Sequence, residues 1–120
     1  MARILIVDDS SFMCATLQAI VEKGGHEVVG VAVSCEQSVE MYKELKPDLV
    51  TLDYVMEGNS GLDALKQIIQ LDSSARTIMI TALGQDDLKE EVLQQGAGSY
   101  LVKPPNPKHL LSEIDRLLNG

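Results

Sequence analysis

Four apolar residues, Ile4-Leu5-Ile6-Val7, run straight into two adjacent acids, Asp8 and Asp9. A continuous apolar run of that length reads as a strand buried on both faces, the kind found in parallel sheets. Delivering paired acids to the carboxyl end of such a strand is costly, because like charges repel and each loses hydration. A bound cation is the usual remedy. The stretch therefore constrains the fold, which must bury this strand, and the chemistry, which must neutralise its end.

Strand-like and helix-like segments alternate along the rest of the chain. The first strand spans Arg3 to Val7, and helical spacing of Met13, Leu17, Ile20 and Val21 predicts a helix from about Ser11 to Lys23, ended by Gly24-Gly25. A second strand covers Glu27 to Val33. Ser34 with Gln37 three residues on marks the start of a second helix, with Val39, Tyr42 and Leu45 inward and Lys46-Pro47 as the stop. The third strand runs from Asp48 to Asp53. A loop of small and polar residues, Glu57 to Gly61, leads to a helix over about Leu62 to Leu71, with Leu62, Leu65 and Ile69 inward. Thr77 to Thr81 is the fourth strand, and an acidic helix from about Asp86 to Gln95 rests on Leu88 and Val92 alone. Ser99 to Lys103 is the fifth strand. Asn106-Pro107 opens a last helix as N-cap and first-turn proline, with Leu110, Leu111, Ile114, Leu117 and Leu118 on one face.

Alternation of this kind means a parallel sheet covered by helices on both faces. Five units are too few for an eight-stranded barrel. The expected fold is an open, doubly wound, five-stranded parallel sheet with five helices, in the flavodoxin-like order 2-1-3-4-5, as one domain over residues 1–120. Its site lies at the carboxyl ends of the strands where the order reverses. That order brings Asp8, Asp9 and Asp53 together and sets Thr81 and Lys103 at the rim of the same pocket.

Charge narrows the function. The formal net charge is -8, which argues against nucleic acid or an anionic membrane as partner, since either needs a basic face. It suits a divalent metal. Cys14 and Cys35, without a CxxC or nearby histidine pattern, read as buried reduced thiols of a cytoplasmic protein. The first strand begins at once, without a signal peptide, and no apolar run approaches the ~20 residues of a membrane helix. His26 and His109 are expected at the surface, and neither falls in the constellation, which argues against acid–base hydrolysis as the main chemistry.

Three carboxylates in one pocket suit Mg2+, a hard ion with oxygen ligands that keeps several waters. Metal, the Lys103 ammonium and the Thr81 hydroxyl together neutralise the oxygens of a transferring phosphoryl group. An aspartate can be the nucleophile, forming an acyl phosphate, and Asp53 is the central one.

These residues in this order resemble the receiver domain of two-component response regulators, over the whole chain. The resemblance is carried by Asp8-Asp9-Ser10, Asp53, Thr81-Ala82, Tyr100 and Lys103-Pro104. Val7-Asp8-Asp9-Ser10-Ser11-Phe12-Met13 and Leu83-Gly84-Gln85 look most like the single-domain chemotaxis regulators. The resemblance implies that a histidine kinase phosphorylates Asp53. It implies that Asp9, Asp53 and the carbonyl of Val55 hold Mg2+, with Asp8 acting mainly through water. Thr81 and Lys103 would contact the phosphoryl oxygens, and the Lys103-Pro104 peptide would be cis. Tyr100 would swing inward as Thr81 moves to the phosphate. That would change the face of helix four, strand five and helix five, where a downstream target binds; a phosphatase is a further possible partner, and the protein would be a monomer or weak dimer. Domains of this kind are phosphoacceptors that support their own dephosphorylation rather than enzymes with a separate substrate.

Three positions depart from the family pattern. Met56 is followed by Glu57 instead of proline, Pro105 replaces an aromatic after Lys-Pro, and Cys14 stands where chemotaxis relatives often carry arginine. Val55 and Leu83, two residues after Asp53 and Thr81, are apolar and cannot orient an attacking water, so a long-lived phosphoryl group is expected. Three rival readings fare worse. A flavin mononucleotide carrier needs a neutral hydroxyl- and glycine-rich loop after strand one. A magnesium-dependent aspartyl-phosphate phosphatase typically carries its nucleophile on strand one, with a second acid two residues on. A degenerate receiver that only docks partners is disfavoured by the complete set of five residues.

Overall fold

The computed structural model describes residues 2–56, 60–82, 84 and 86–119. Ten elements alternate: β1 (Arg3–Val7), α1 (Ser11–Lys23), β2 (Glu27–Ala32), α2 (Cys35–Leu45), β3 (Leu49–Leu52), α3 (Gly61–Leu71), β4 (Thr77–Thr81), α4 (Asp86–Gln94), β5 (Ser99–Val102) and α5 (Pro107–Asn119). All strand pairs are parallel, in the order β2-β1-β3-β4-β5. This is the expected doubly wound fold. The central strands β1, β3 and β4 are almost wholly buried, which their continuous apolar sequence requires.

Alternation along the strands divides the interior into two cores. Leu5, Val7, Val50, Leu52, Met79 and Tyr100 face α2, α3 and α4. Ile4, Ile6, Leu49, Ile78, Ile80 and Leu101 face α1 and α5. Each helix contributes its apolar stripe: Leu17 and Val21 from α1, Val39 and Tyr42 from α2, Leu65 and Ile68 from α3, Val92 from α4, Leu110 and Ile114 from α5. Cys14 and Cys35 are free buried thiols, one in each core.

The helix starts are capped locally. The Ser10, Ser34 and Ser60 hydroxyls accept from the backbone N–H groups of Met13, Gln37 and Asp63. At α2 the reciprocal bond of the box lands one residue early, on Val33 N–H, which donates to Gln37 Oε1 at 2.8 Å. The third cap, Ser60 with Asp63, is a complete capping box; Ser60 reads in sequence as plain loop because aspartate is a less familiar third-position partner than Glu or Gln. The α2 stop also differs in conformation. A residue before proline is expected to be extended, but Lys46 is left-handed, at φ 48. There its N–H caps Tyr42 O, and Arg3 donates to the Lys46 carbonyl at 3.0 Å.

His26 is not a surface residue. Its side chain is 8% exposed, and its Nδ1 accepts the Ala2 N–H at 3.1 Å. The turn at Gly24-Gly25 folds it beneath the start of β1, so the imidazole satisfies a backbone donor at the end of the sheet. His109 is exposed on α5. At the opposite edge α5 is fastened to β5 through Glu113. This carboxylate accepts from Ser99 Oγ at 2.6 Å and from two Arg116 nitrogens at 2.9 Å, while Arg116 also donates to Gly98 O. Arg116 first, then Ser99, holds the Glu113 carboxyl down at about 2.

Thr51, midway along β3, is 1% exposed, and its hydroxyl has no hydrogen-bond partner. Its β-sheet neighbours are Ile6 and Ile78. A buried hydroxyl without a partner costs about 1–3 kcal/mol. Thr51→Val keeps the side-chain shape and removes the cost, so chemical denaturation should show stability raised by about 1 kcal/mol.

Candidate functional site

The sheet order places the ends of β1 and β3 side by side. Asp53 N–H donates to Val7 O at 2.9 Å, continuing the ladder past β3, and Asp8 N–H donates to Ala32 O at 3.0 Å. Asp8, Asp9 and Asp53 thereby form one cluster, each offering a carboxylate oxygen within 4.8 Å of the others. Asp8 and Asp53 are buried and Asp9 is exposed.

Lys103 enters from the far edge. Its N–H donates to Thr81 O at 2.8 Å, and its peptide with Pro104 is cis. The ammonium lies 2.7 Å from Asp8 Oδ2 and 3.3 Å from Asp53 Oδ2. The other Asp8 oxygen accepts from Ser10 N–H at 2.9 Å. The Asp8 carbonyl accepts from the Cys14 thiol at 3.2 Å. Asp8 is thus held at every polar group, while Asp9 faces solvent.

The electrostatics follow from this packing. Burial, then the neighbouring Asp8, pushes the Asp53 carboxyl up; Lys103 and the Val55 N–H pull the other way. For Lys103, burial works against the charged form, but the Asp8 hydrogen bond and the two carboxylates outweigh it and raise its pKa. Burial, reinforced by Asp8, also raises the Cys14 thiol, so it stays protonated and serves as a donor.

The remaining expected residues fall nearby with different orientations. Thr81 ends β4 and is fully buried. The Val55 side chain is 57% exposed, beside the acids. Tyr100 sits in β5 on the opposite face of the sheet from Lys103, and its ring is already inside, 8% exposed. The inward swing implied by the family resemblance therefore has no outward starting point in this conformation. Pro105 is buried. Glu57, Leu83 and Gln85 lie outside the described residues.

Two contributors escape sequence reading. One is the Cys14 thiol, which reads as simple core filler. The other is Gly61, the first residue of α3. Its N–H donates to Tyr54 O at 2.6 Å, and Val55 pairs with Ser60 in an isolated antiparallel bridge. The chain leaving Asp53 is thus tied at Tyr54 and Val55 to the start of α3. A Cβ on Gly61 would lie 2.0 Å from the Asp53 carbonyl oxygen. Only the crowding in three dimensions reveals this; in sequence it is one small residue among several.

The donor set is all oxygen and two of its acids are buried, which fits a hard divalent cation such as Mg2+ and excludes a soft-metal site. Beside that cation position stand a buried carboxylate, a hydroxyl residue and an ammonium. This is a set able to accept a phosphoryl group and neutralise its oxygens.

The model of the response regulator receiver domain matches residues 4–115. The chain belongs to that family. It is 45% identical to the chemotaxis protein CheY of Bacillus subtilis over 117 residues, covering 98% of each chain. It is 41% identical to CheY of Thermotoga maritima over 115 residues, covering 96% of each. Among solved structures, the complex of CheX, CheY, BeF3 and Mg2+ from Borrelia burgdorferi contains a similar chain. The TM-score is 0.93 and the identity 35%, covering 96% of this chain and 87% of that one. The protein is therefore a receiver domain of the CheY-like chemotaxis type, a phosphorylation-dependent signalling switch. Receiver domains bind Mg2+ at an acidic pocket, and CheY-like domains act between histidine kinases and downstream targets. Among the described residues no helix is long and apolar enough to cross a membrane.

Gly61→Ala should force the Asp53 backbone aside and cost about 2–3 kcal/mol by overpacking. Urea denaturation would measure the loss, and the same variant should accept phosphoryl groups more slowly from a small-molecule donor.

Proposed function

We propose that Asp53 accepts a phosphoryl group from the phosphohistidine of a kinase in a Mg2+-dependent transfer. A carboxylate oxygen of Asp53 attacks phosphorus, the P–N bond breaks, and the imidazole nitrogen leaves with its electron pair. The observation that carries this reading is the short contact of Lys103 with both Asp8 and Asp53 inside a cluster of three acids.

Mg2+ would be held by Asp9, Asp53 and the Val55 carbonyl, and by Asp8 mainly through water; when bound it offsets the charge of the acids and of the phosphoryl oxygens. The commitment of both Asp8 oxygens to Lys103 and Ser10 supports the indirect role of Asp8. Lys103 neutralises a phosphoryl oxygen as it now neutralises the carboxylates. Thr81 donates its hydroxyl to another. The acyl phosphate adds charge beside a buried threonine, and drawing Thr81 toward it changes the space available to Tyr100. Because Tyr100 is already buried, phosphorylation acts by fixing one population of an existing equilibrium rather than by driving a new excursion. The α4-β5-α5 face then changes its affinity for a downstream target, and a phosphatase that reads the loaded site resets it.

Intact mass after incubation with a small-molecule phosphodonor tests the chemistry. One phosphoryl group should add to the wild type with Mg2+, and none without the metal or in Asp53→Asn. Failure of the wild type to gain mass under any condition would refute the reading.

The life of the phosphoryl group is set beside the site. The exposed Val55 side chain offers no group to orient water, so hydrolysis is slow. Val55→Asn should shorten the half-life of the phosphorylated protein several-fold, followed by loss of the mass increment with time; an unchanged rate would remove this role.

A further inference from the structure

The residue that follows the phosphoacceptor is a tyrosine, and nothing in the transfer chemistry uses it. Register places it in a telling position. Leu52 of β3 pairs with Met79 of β4, and Met79 pairs with Tyr100 of β5, so these three form one row across the sheet. All three belong to the core beneath α2, α3 and α4. Side chains alternate between faces, so the residues two positions on share that face. Thr81, two after Met79 and still in β4, is one of them; Tyr54, just past the end of β3, is put on that face by its packing. The Tyr54 ring is indeed packed against the same core cluster that contains Tyr100. Thr81 lies on the strand between those of the two tyrosines, in register with Val102 and so one diagonal step from Tyr100.

Tyr54 and Tyr100 are separated by two strand spacings, about 10 Å across the sheet, and by two residue steps, about 7 Å along it, a diagonal gap that two phenol side chains can bridge. Burial raises the Tyr100 phenol, and the nearby Tyr54 raises it further. Tyr54 is fixed at its backbone, where its carbonyl accepts from Gly61 N–H at the start of α3. Its peptide neighbour is Asp53 itself. A displacement of the Asp53 backbone therefore reaches the Tyr54 ring through one peptide bond, on the face where Tyr100 lies.

We infer that Tyr54 is a positioning residue of the switch, its ring bracing Tyr100 across Thr81 and carrying the change at Asp53 to Tyr100 by a second route beside the threonine. This rests on the reading of Tyr100 as the responding aromatic. The route works by packing. The ring, not the hydroxyl, is the required part.

The test uses the full chain labelled with 13C at tyrosine Cζ, with the three resonances assigned by single Tyr→Phe variants. Beryllofluoride and Mg2+ serve as the phosphoryl mimic, and 19F signals of the bound mimic report that each variant is folded and loaded. In the wild type the Tyr100 resonance moves on loading. In Tyr54→Leu the mimic still binds but the Tyr100 movement falls by at least half; in Tyr54→Phe it is retained. An undiminished movement in Tyr54→Leu would overturn the inference, and equal loss in both variants would overturn the role of the ring. A stationary Tyr100 in the loaded wild type would refute the underlying reading instead. Ring-to-ring nuclear Overhauser contacts between Tyr54 and Tyr100 in the wild type need no variant. Their presence is expected, and their absence would also overturn the inference.

Discussion

Two buried carboxylates share one ammonium, and the molecule is arranged to make that sharing possible. Asp8 and Asp53 come from adjacent strands, Lys103 from the edge strand, with the end of β4 between. Charges of like sign this close and this dry are tolerated only with a neutralising partner in good geometry. Each supporting detail serves it. Ser10 and Cys14 saturate Asp8, and the Gly61 start of α3 fixes the backbone of Asp53.

The pleat of the sheet separates two tasks that must stay coupled. Asp8, Asp53 and Lys103 meet at the strand ends. Tyr100 lies in the core of α2, α3 and α4, with Tyr54 packed against that core. The phosphoacceptor and the tyrosine that follows it are one peptide unit apart. A sheet transmits between its faces through the backbone, and adjacent residues of one strand form the shortest such link.

Much of this was legible from residue order. Apolar runs, turn residues and caps located ten elements, and the strand order then accounts for the meeting of Asp8, Asp9, Asp53 and Lys103. What stayed hidden depended on contacts between distant segments. His26 reads as a surface turn residue until the Ala2 amide is seen to need an acceptor. Lys46 before Pro47 reads as extended until the open carbonyl of Tyr42 is counted. Gly61 reads as loop until the Asp53 carbonyl is found against it. The buried state of Tyr100 is a choice between packings of one sequence, which periodicity does not address.

The pairing of Asp8 with Lys103 spans 95 positions in sequence. A chain emerging from its amino end presents both acids long before the cation that balances them. Until β5 docks, the ends of β1 and β3 carry uncompensated charge, which opposes their burial. Closing the site is thus a non-local event, resting on contacts between segments far apart in sequence. The competence to accept a phosphoryl group and the completion of the sheet are then one and the same step, so a chain caught short of its last strand is silent as a signal rather than miswired.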